Sequence, residues 1–436
     1  MTAFFRQNLP KYLDLNGADA FFIMLDTKNA TLRQGTNAVR ISLTIANQKD
    51  AQLIEKKFLD SALIFWMCNI QLINAKSILF KPKWKYTDQN KTLVIREHFE
   101  AQEGLIPEVI INESLQLKDN QFVSFDRISY PSGAVNLVFS WHHALMDGRG
   151  SGLLMQSLFS NDLTLDKAFP GHYKEPGLYQ YISNMYKVKR FIKHSSRSPI
   201  EALSEWEDRP KSSTVSQTGL LSHTFSAAES SIIDQRAQNA GAQFGSSNFL
   251  LACAAIAFHR FNKDKGVKGD LWIPVPYDGR KRGSKGPIIS NQIAFLFYRL
   301  KASELQTTES CLRSLQNQFM LQLKMEMPKK YDMLLNMMRY IPLWLYRFLT
   351  STYSKGRVAS FLFTSAGQDK WDLSNLTNDL VQNIQMVPPS TVPPGLTFNF
   401  LRNENCLTLN ILWSKAVMSK SDAVLIEELL VEQIMG

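Results

Sequence analysis

Cysteine is scarce and scattered. The four residues Cys68, Cys253, Cys311 and Cys406 form no CxxC pair, which excludes a disulfide framework and fits a reducing compartment. Histidine is nearly as rare: His98, His172, His194, His223 and His259 stand in no ligand-like spacing with the single His-His pair, so the sequence makes no case for a metal site. Long apolar runs are also missing. The nearest, Ala62 to Ile73 and Met333 to Leu349, are broken by Asn69 and Gln71 and by Asn336, Arg339 and Arg347, and neither reaches the roughly 18 apolar residues of a membrane span. No basic segment followed by an apolar stretch opens the chain, so the expectation is a cytoplasmic protein without a secretory signal. Zinc-finger and RNP-type motifs and an Arg-rich recognition helix are absent, which argues against nucleic acid. The excess of 49 Lys+Arg over 39 Asp+Glu, a formal net charge of +10, favours a polyanionic or membrane-surface partner instead.

What is present is material for two core-forming units, 436 residues with 44% hydrophobic content. They are organised around Val135 to Phe159, VNLVFSWHHALMDGRGSGLLMQSLF. A strand over 136–141 runs into His142 and His143, Asp147-Gly148 follows, and Ser151 opens a helical run. If the strand persists, Trp141 and His143 face one side and His142 the other. The two imidazoles then have different roles: one a base in a cleft, the other held by hydrogen bonds in the body. Asp147 is spaced to stabilise the turn or pair with an arginine, and Gly148 removes a side chain where a substrate or backbone must come close. The plainer alternative is a buried structural His pair. With no metal indicated, a metal-free general base is the chemical reading.

Around this stretch, Val39 to Ile45, Leu79 to Trp84, Thr92 to Glu97 and Phe122 to Tyr130 read as strands, the last pairing with Ala134 to Ser140 through Pro131-Ser132-Gly133. Asp50 to Phe65 reads as one helix, and Asn16 or Asp19 can cap another carrying Phe22, Ile23 and Leu25. Residues 186–218, with the basic run Lys187 to Arg190, read as a crossing between an N-terminal lobe, 1–185, and a C-terminal lobe, 219–436; the run suits phosphate, a bilayer or a solvated linker. In the second lobe Ser226 or Glu229, Ser246 or Ser247, and Ser419 or Ser421 begin helices. Leu271 to Tyr277 is an edge-like strand, and Gln292 to Leu300 follows a cationic Gly-rich loop. There Arg280, Arg282 and Lys285 suit the phosphates of a pantetheine carrier. Leu305 to Met327 and Tyr331 to Leu349 read as helices interrupted at Pro328 and bent at Pro342. Their methionines can line an acyl channel or belong to a core stripe, and the basic residues nearby suit a membrane surface.

HHALMDG resembles the His-His-x-x-x-Asp-Gly motif of the chloramphenicol acetyltransferase-like superfamily, which includes condensation domains, alcohol acetyltransferases and wax ester synthase/diacylglycerol acyltransferases. Asp19-Ala20 is similar to the opening of the last group. The resemblance implies an α/β fold of two lobes with an active-site tunnel between them, and His143 as the catalytic base. His142 would orient the turn, Gly148 would leave room for the reacting groups, and Asp147 would be salt-bridged to Arg280, with Arg282 as the alternative partner. Asn291 would open the next strand. Ser365 would lie near an oxyanion or cap a turn, with Ala366 where the family has asparagine. The implied activity is transfer of an acyl group from acyl-CoA to a hydroxyl. The alternatives are a freestanding condensation-type amide synthase using a carrier-protein-bound donor, and a non-catalytic scaffold. No tightly bound cofactor is expected; acyl-CoA or a phosphopantetheine-linked acyl group is the co-substrate, an alcohol or amine the acceptor, and an acyl carrier protein or peripheral membrane contact a further partner.

Overall fold

The computed structural model describes residues 9–32, 35–73, 81–159, 167–171, 177–196, 217–243, 245–267, 269–281, 283–284, 286–352, 359–366, 380–392, 394–403 and 406–436. The chain opens with β1 (Tyr12–Asp14), α1 (Gly17–Leu32), β2 (Ala38–Ile45), α2 (Gln48–Asp60) and α3 (Ala62–Cys68). The single helix expected over 50–65 is thus two. Ser61 is extended, and its hydroxyl accepts from the Ile64 N–H to cap α3, so one residue ends α2 and starts α3. Next come β3 (Ile70–Ile73), β4 (Lys83–Tyr86), β5 (Ile95–Phe99), α4 (Glu108–Asn112), β6 (Val123–Ser129), β7 (Val135–His142), α5 (Gly148–Phe159) and α6 (Leu178–Ser196).

The second half runs β8 (Thr218–Phe225), α7 (Ala227–Asn239), α8 (Ser247–Asp264), β9 (Leu271–Asp278), β10 (Ile293–Leu300), α9 (Thr308–Lys324), α10 (Met327–Met338) and α11 (Leu343–Thr352). It ends with β11 (Leu362–Ala366), β12 (Val381–Val387), β13 (Leu396–Asn403), β14 (Cys406–Ser414) and α12 (Lys420–Met435). Ser226 and Glu229 form a capping box on α7, and Ser419 caps α12. Pro328 does not interrupt a helix. It sits in the first turn of α10, where its missing N–H costs no helical bond, after Glu326 has turned the chain at φ 52°.

Of four sheets among the described residues, the two larger ones mark two lobes. In the first, the order is β12-β2-β7-β6-β5, with β7 central and antiparallel to β2 and β6. One face of β7, carrying Val135, Leu137, Phe139 and Trp141, is buried in a core shared with Phe58 and Trp66 from α2 and α3, where each large apolar side chain contributes about 1.5–3 kcal/mol. The second sheet, β11-β13-β14-β8, packs with α8 and α12 around Phe225, Phe258, Phe398 and Ile426. The division at 219–436 does not follow the sheets, because β12 leaves the second half of the chain to pair with β2 of the first lobe. The basic run 187–190 lies on helix α6 rather than a linker; Val188 and Phe191 are buried, and Phe191 packs on Tyr331 and Phe297. The methionines of this region differ in burial, Met320 being exposed and Met327 buried. Among the described residues no helix is long and apolar enough to cross a membrane.

Helix α1 joins the lobes by running from α10 to the end of β7. Its first residue, Gly17, donates its N–H to Asn336 Oδ1 at 2.8 Å, and an added Cβ would lie 2.3 Å from the Asn336 nitrogen. Backbone is packed on backbone there, so Gly17→Ala must push the helices apart. Urea unfolding should register a loss of about 1–3 kcal/mol, and an unchanged midpoint would mean that this contact is looser than the packing described.

Candidate active site

The turn after β7 is built by its own side chains. Trp141 Nε1 donates to the Met146 carbonyl at 3.0 Å and the Leu145 N–H to the His142 carbonyl at 2.9 Å, closing HHALM into a tight loop. Asp147 ends it: Oδ1 accepts from the Gly150 N–H at 2.8 Å and so caps α5, which begins at Gly148 rather than at Ser151. The other oxygen, Oδ2, accepts from Arg280 Nη1 at 2.9 Å and from the Gln292 N–H at 2.7 Å. Both Asp147 and Arg280 side chains are 3% exposed. Arg280 also donates to the Pro287 and Ser290 carbonyls and to Asp278. Arg282 and Lys285 lie outside the described residues.

Among the described residues no backbone crowds Gly148, where an added Cβ would meet the Met386 side chain at ordinary distance. The glycine that packing requires is Gly150, whose Cβ would lie 2.6 Å from the Ile288 carbonyl oxygen. Ser365 stands half-buried inside β11, paired with Phe400, and not at a turn as expected.

The two histidines have opposite surroundings. His142 is fully buried; its Nδ1 accepts from the Ala144 N–H at 3.1 Å, which leaves the proton on Nε2, 3.4 Å from Asp26 Oδ1 and outside hydrogen-bond alignment. His143 is partly accessible. Its N–H donates to the Asn37 carbonyl at 2.8 Å, and its ring lies flat on Phe22 with centroids 3.6 Å apart. Asn37 in turn donates to the Phe22 carbonyl at 2.8 Å, tying both stacked residues to one support. His143 Nδ1 lies 3.1 Å from Asn291 Oδ1. Because the Asn291 amide nitrogen donates to the His143 carbonyl and to Asp19 Oδ1, at 2.8 and 2.9 Å, its oxygen must face Nδ1. Nδ1 therefore carries the proton, and Nε2 keeps its lone pair with no partner among the described residues. Phe22, Asn37, Asp19 and Asn16 escaped the sequence reading as site residues; only the cap of α1 and the Asp19-Ala20 pair had drawn attention to that segment.

Burial pushes the His143 imidazolium down to about 4 from the usual 6.5, against the opposing pull of its own carbonyl and the Asp147 carboxylate. The ring is neutral at pH 7. As pH falls from about 6.5 to about 4 the unfolded chain takes up this proton and the folded chain does not, so stability contributed above that window is lost through it. Nitrogen-15 histidine NMR of the folded protein should give a midpoint near 4 and the Nδ1–H tautomer, whereas an Nε2–H tautomer at neutral pH would contradict this hydrogen-bond assignment. For the buried pair, Arg280→Met strands the Asp147 charge and should cost about 3–5 kcal/mol in denaturant unfolding, partly recovered by adding Asp147→Asn. A parental unfolding midpoint for Arg280→Met would rule out the pair as a structural lock.

Neither a family model nor a curated protein matches the sequence. Solved structures do match along nearly its whole length. Trichothecene 15-O-acetyltransferase from Fusarium sporotrichioides is 14% identical at a TM-score of 0.65, over 97% of this chain and 95% of that one. The first condensation domain of the calcium-dependent antibiotic synthetase, in complex with a substrate analogue, is 12% identical at 0.66, over 97% and 96%. The wax ester synthase/diacylglycerol acyltransferase from Marinobacter aquaeolei VT8 is 13% identical at 0.59, over 97% and 98%. The two-lobed α/β fold with mixed sheets is shared with these acyltransferase and condensation-domain structures, and the likeness is one of fold, selecting no family among them.

Proposed function

We propose that this chain transfers an acyl group from a phosphopantetheine-linked thioester to a nucleophile, with His143 as general base, and that within this class it is a condensation-type amide synthase. Nε2 takes a proton from the acceptor amine as its nitrogen attacks the thioester carbonyl. The C–S bond then breaks, and the imidazolium returns the proton to the departing thiolate, leaving an amide and a thiol. The observation that carries the reading is the His143 imidazole, partly accessible, with Nδ1–H spoken for and Nε2 unengaged among the described residues. His142 and the Asp147–Arg280 pair shape the turn without touching the reacting atoms, and Gly148 leaves room beside them.

Sequence alone favoured acyl-CoA and a hydroxyl. The condensation reading gains weight because condensation domains recur among the similar folds and because a net charge of +10 steers an acidic carrier surface toward the chain. The second reading, O-acylation from acyl-CoA, is favoured by the 15-O-acetyltransferase and the wax ester synthase; the proton bookkeeping is identical.

The test pairs thiol release with product mass for acyl-CoA and acylated carrier, each with amine and alcohol acceptors. Amide from the acylated carrier is the expected result, and His143→Ala should lower its rate about 10²–10⁴-fold while the protein stays folded. Ester formed only from acyl-CoA would select the second reading. A parental rate in His143→Ala would sink the base assignment, and no turnover in any combination by folded protein would favour a scaffold.

A further inference from the structure

We propose that Asp19 is a positioning residue that fixes the tautomer of His143 by holding the Asn291 side-chain amide in one orientation. This rests on the reading of His143 as the base. The two residues are far apart in sequence and never touch; the connection runs through Asn291. Asp19 Oδ1 accepts from both the Asn291 N–H, at 2.7 Å, and the Asn291 side-chain NH2, at 2.9 Å. The second hydrogen of that NH2 goes to the His143 carbonyl at 2.8 Å, and Asn291 Oδ1 is left facing His143 Nδ1 at 3.1 Å. Flipping the amide would set its oxygen against the Asp19 carboxylate and the His143 carbonyl, acceptor against acceptor. It would also turn an N–H toward Nδ1, which would move the ring proton to Nε2 and remove the lone pair that the base needs. Asp19 Oδ1 already accepts the Asn291 backbone N–H, so whether the carboxyl is ionised or carries its proton on Oδ2 this oxygen stays an acceptor and forbids the flip.

A structural role for Asp19 is equally visible, and the two roles use different oxygens. Asp19 Oδ2 accepts from the Asn16 N–H at 3.0 Å while Asn16 Oδ1 accepts from the Asp19 N–H at 2.9 Å, a reciprocal cap on α1. Capping alone does not call for a buried charge, because a neutral side-chain oxygen caps as well. Yet Asp19 is 4% exposed and has no ion-pair partner among the described residues, unlike Asp147 with its arginine. Burial pushes its carboxyl up to about 7, against the N–H donors that favour ionisation. A buried carboxylate without a counter-cation is poor value for stability, and such groups concentrate where orientation matters for chemistry.

The experiment compares the parent with Asp19→Leu, of similar volume and without an acceptor, and with Asp19→Asn, whose one carbonyl oxygen can still take both Asn291 hydrogens. Asp19→Ala serves as a milder truncation with the same readouts. Nitrogen-15 histidine NMR reads the His143 tautomer with no substrate present, so it decides this proposal even if the proposed reaction is not the one catalysed. In Asp19→Leu and Asp19→Ala the Nδ1–H form should give way to a mixture or to Nε2–H, with kcat down about 10- to 100-fold and the donor KM within about twofold, since Asp19 touches no substrate. Asp19→Asn should restore the parental tautomer and bring kcat within about fivefold of the parent. The parental tautomer persisting in folded Asp19→Leu or Asp19→Ala overturns the proposal, whether or not kcat falls.

Discussion

Two consecutive backbone N–H groups, those of Asn291 and Gln292, are each held by a buried carboxylate from the first lobe: Asn291 by Asp19 at 2.7 Å and Gln292 by Asp147 at 2.7 Å. The segment entering β10 is thereby fastened at two adjacent points to α1 and to the turn after β7. Most of the site's geometry follows from that double grip. It sets Asn291 beside His143, brings the Ser290 and Pro287 carbonyls onto Arg280, and lets one arginine serve both the strand entrance and Asp147. A shift of either lobe would break a short hydrogen bond to a buried carboxyl oxygen at both points.

The histidine pair shows how neighbours in sequence acquire different chemistry. Both rings sit at the end of the central strand, where pairing on two sides keeps the backbone stiff. His142 turns into the body and takes a backbone N–H on Nδ1, so its proton is on Nε2, toward Asp26. His143 stacks on Phe22 and gives its Nδ1 proton to Asn291. Phe22 and Asp26 stand one turn apart on α1, so a single helix serves both imidazoles. The alternation rule separated the two rings from sequence; the tautomers depend on partners contributed by other elements.

That difference marks how far the sequence was legible. The β6–β7 hairpin through Pro131-Ser132-Gly133, the His-His turn and the helix caps at Ser226 and Ser419 all come from contacts within a few residues, which periodicity and turn chemistry report directly. The Asp147–Arg280 pairing, 133 residues apart, was reachable only through resemblance. The Asp19–Asn291 contact spans 272 residues, and Asp19 reads locally as an ordinary first-turn acid of α1. The crossing of β12 into the first sheet was missed for the same reason. Its apolar residues do not alternate cleanly, the register shifting between Val381 and Asn383, and only the completed fold shows that the open edge of β2 receives it. The misreading at Ser61 was local: apolar residues keep helical spacing through the break, so periodicity carries across a residue whose backbone is extended.

The two carboxylates at the strand entrance differ in how their charge is met, and this divides their roles. Asp147 is neutralised by Arg280 and further bound by two N–H groups, so the turn, the helix start and the second lobe are joined at a site where ionisation is compensated. Asp19 has N–H donors and no ion-pair partner among the described residues; its bonds are directional without being backed by an opposite charge there. Compensation makes the first a lock. The second is an orienting contact, because what an uncompensated acceptor imposes most strongly is which way each neighbouring amide must point. Asn291 is the neighbour whose orientation has a chemical consequence, since its oxygen decides which nitrogen of His143 is left to accept a proton.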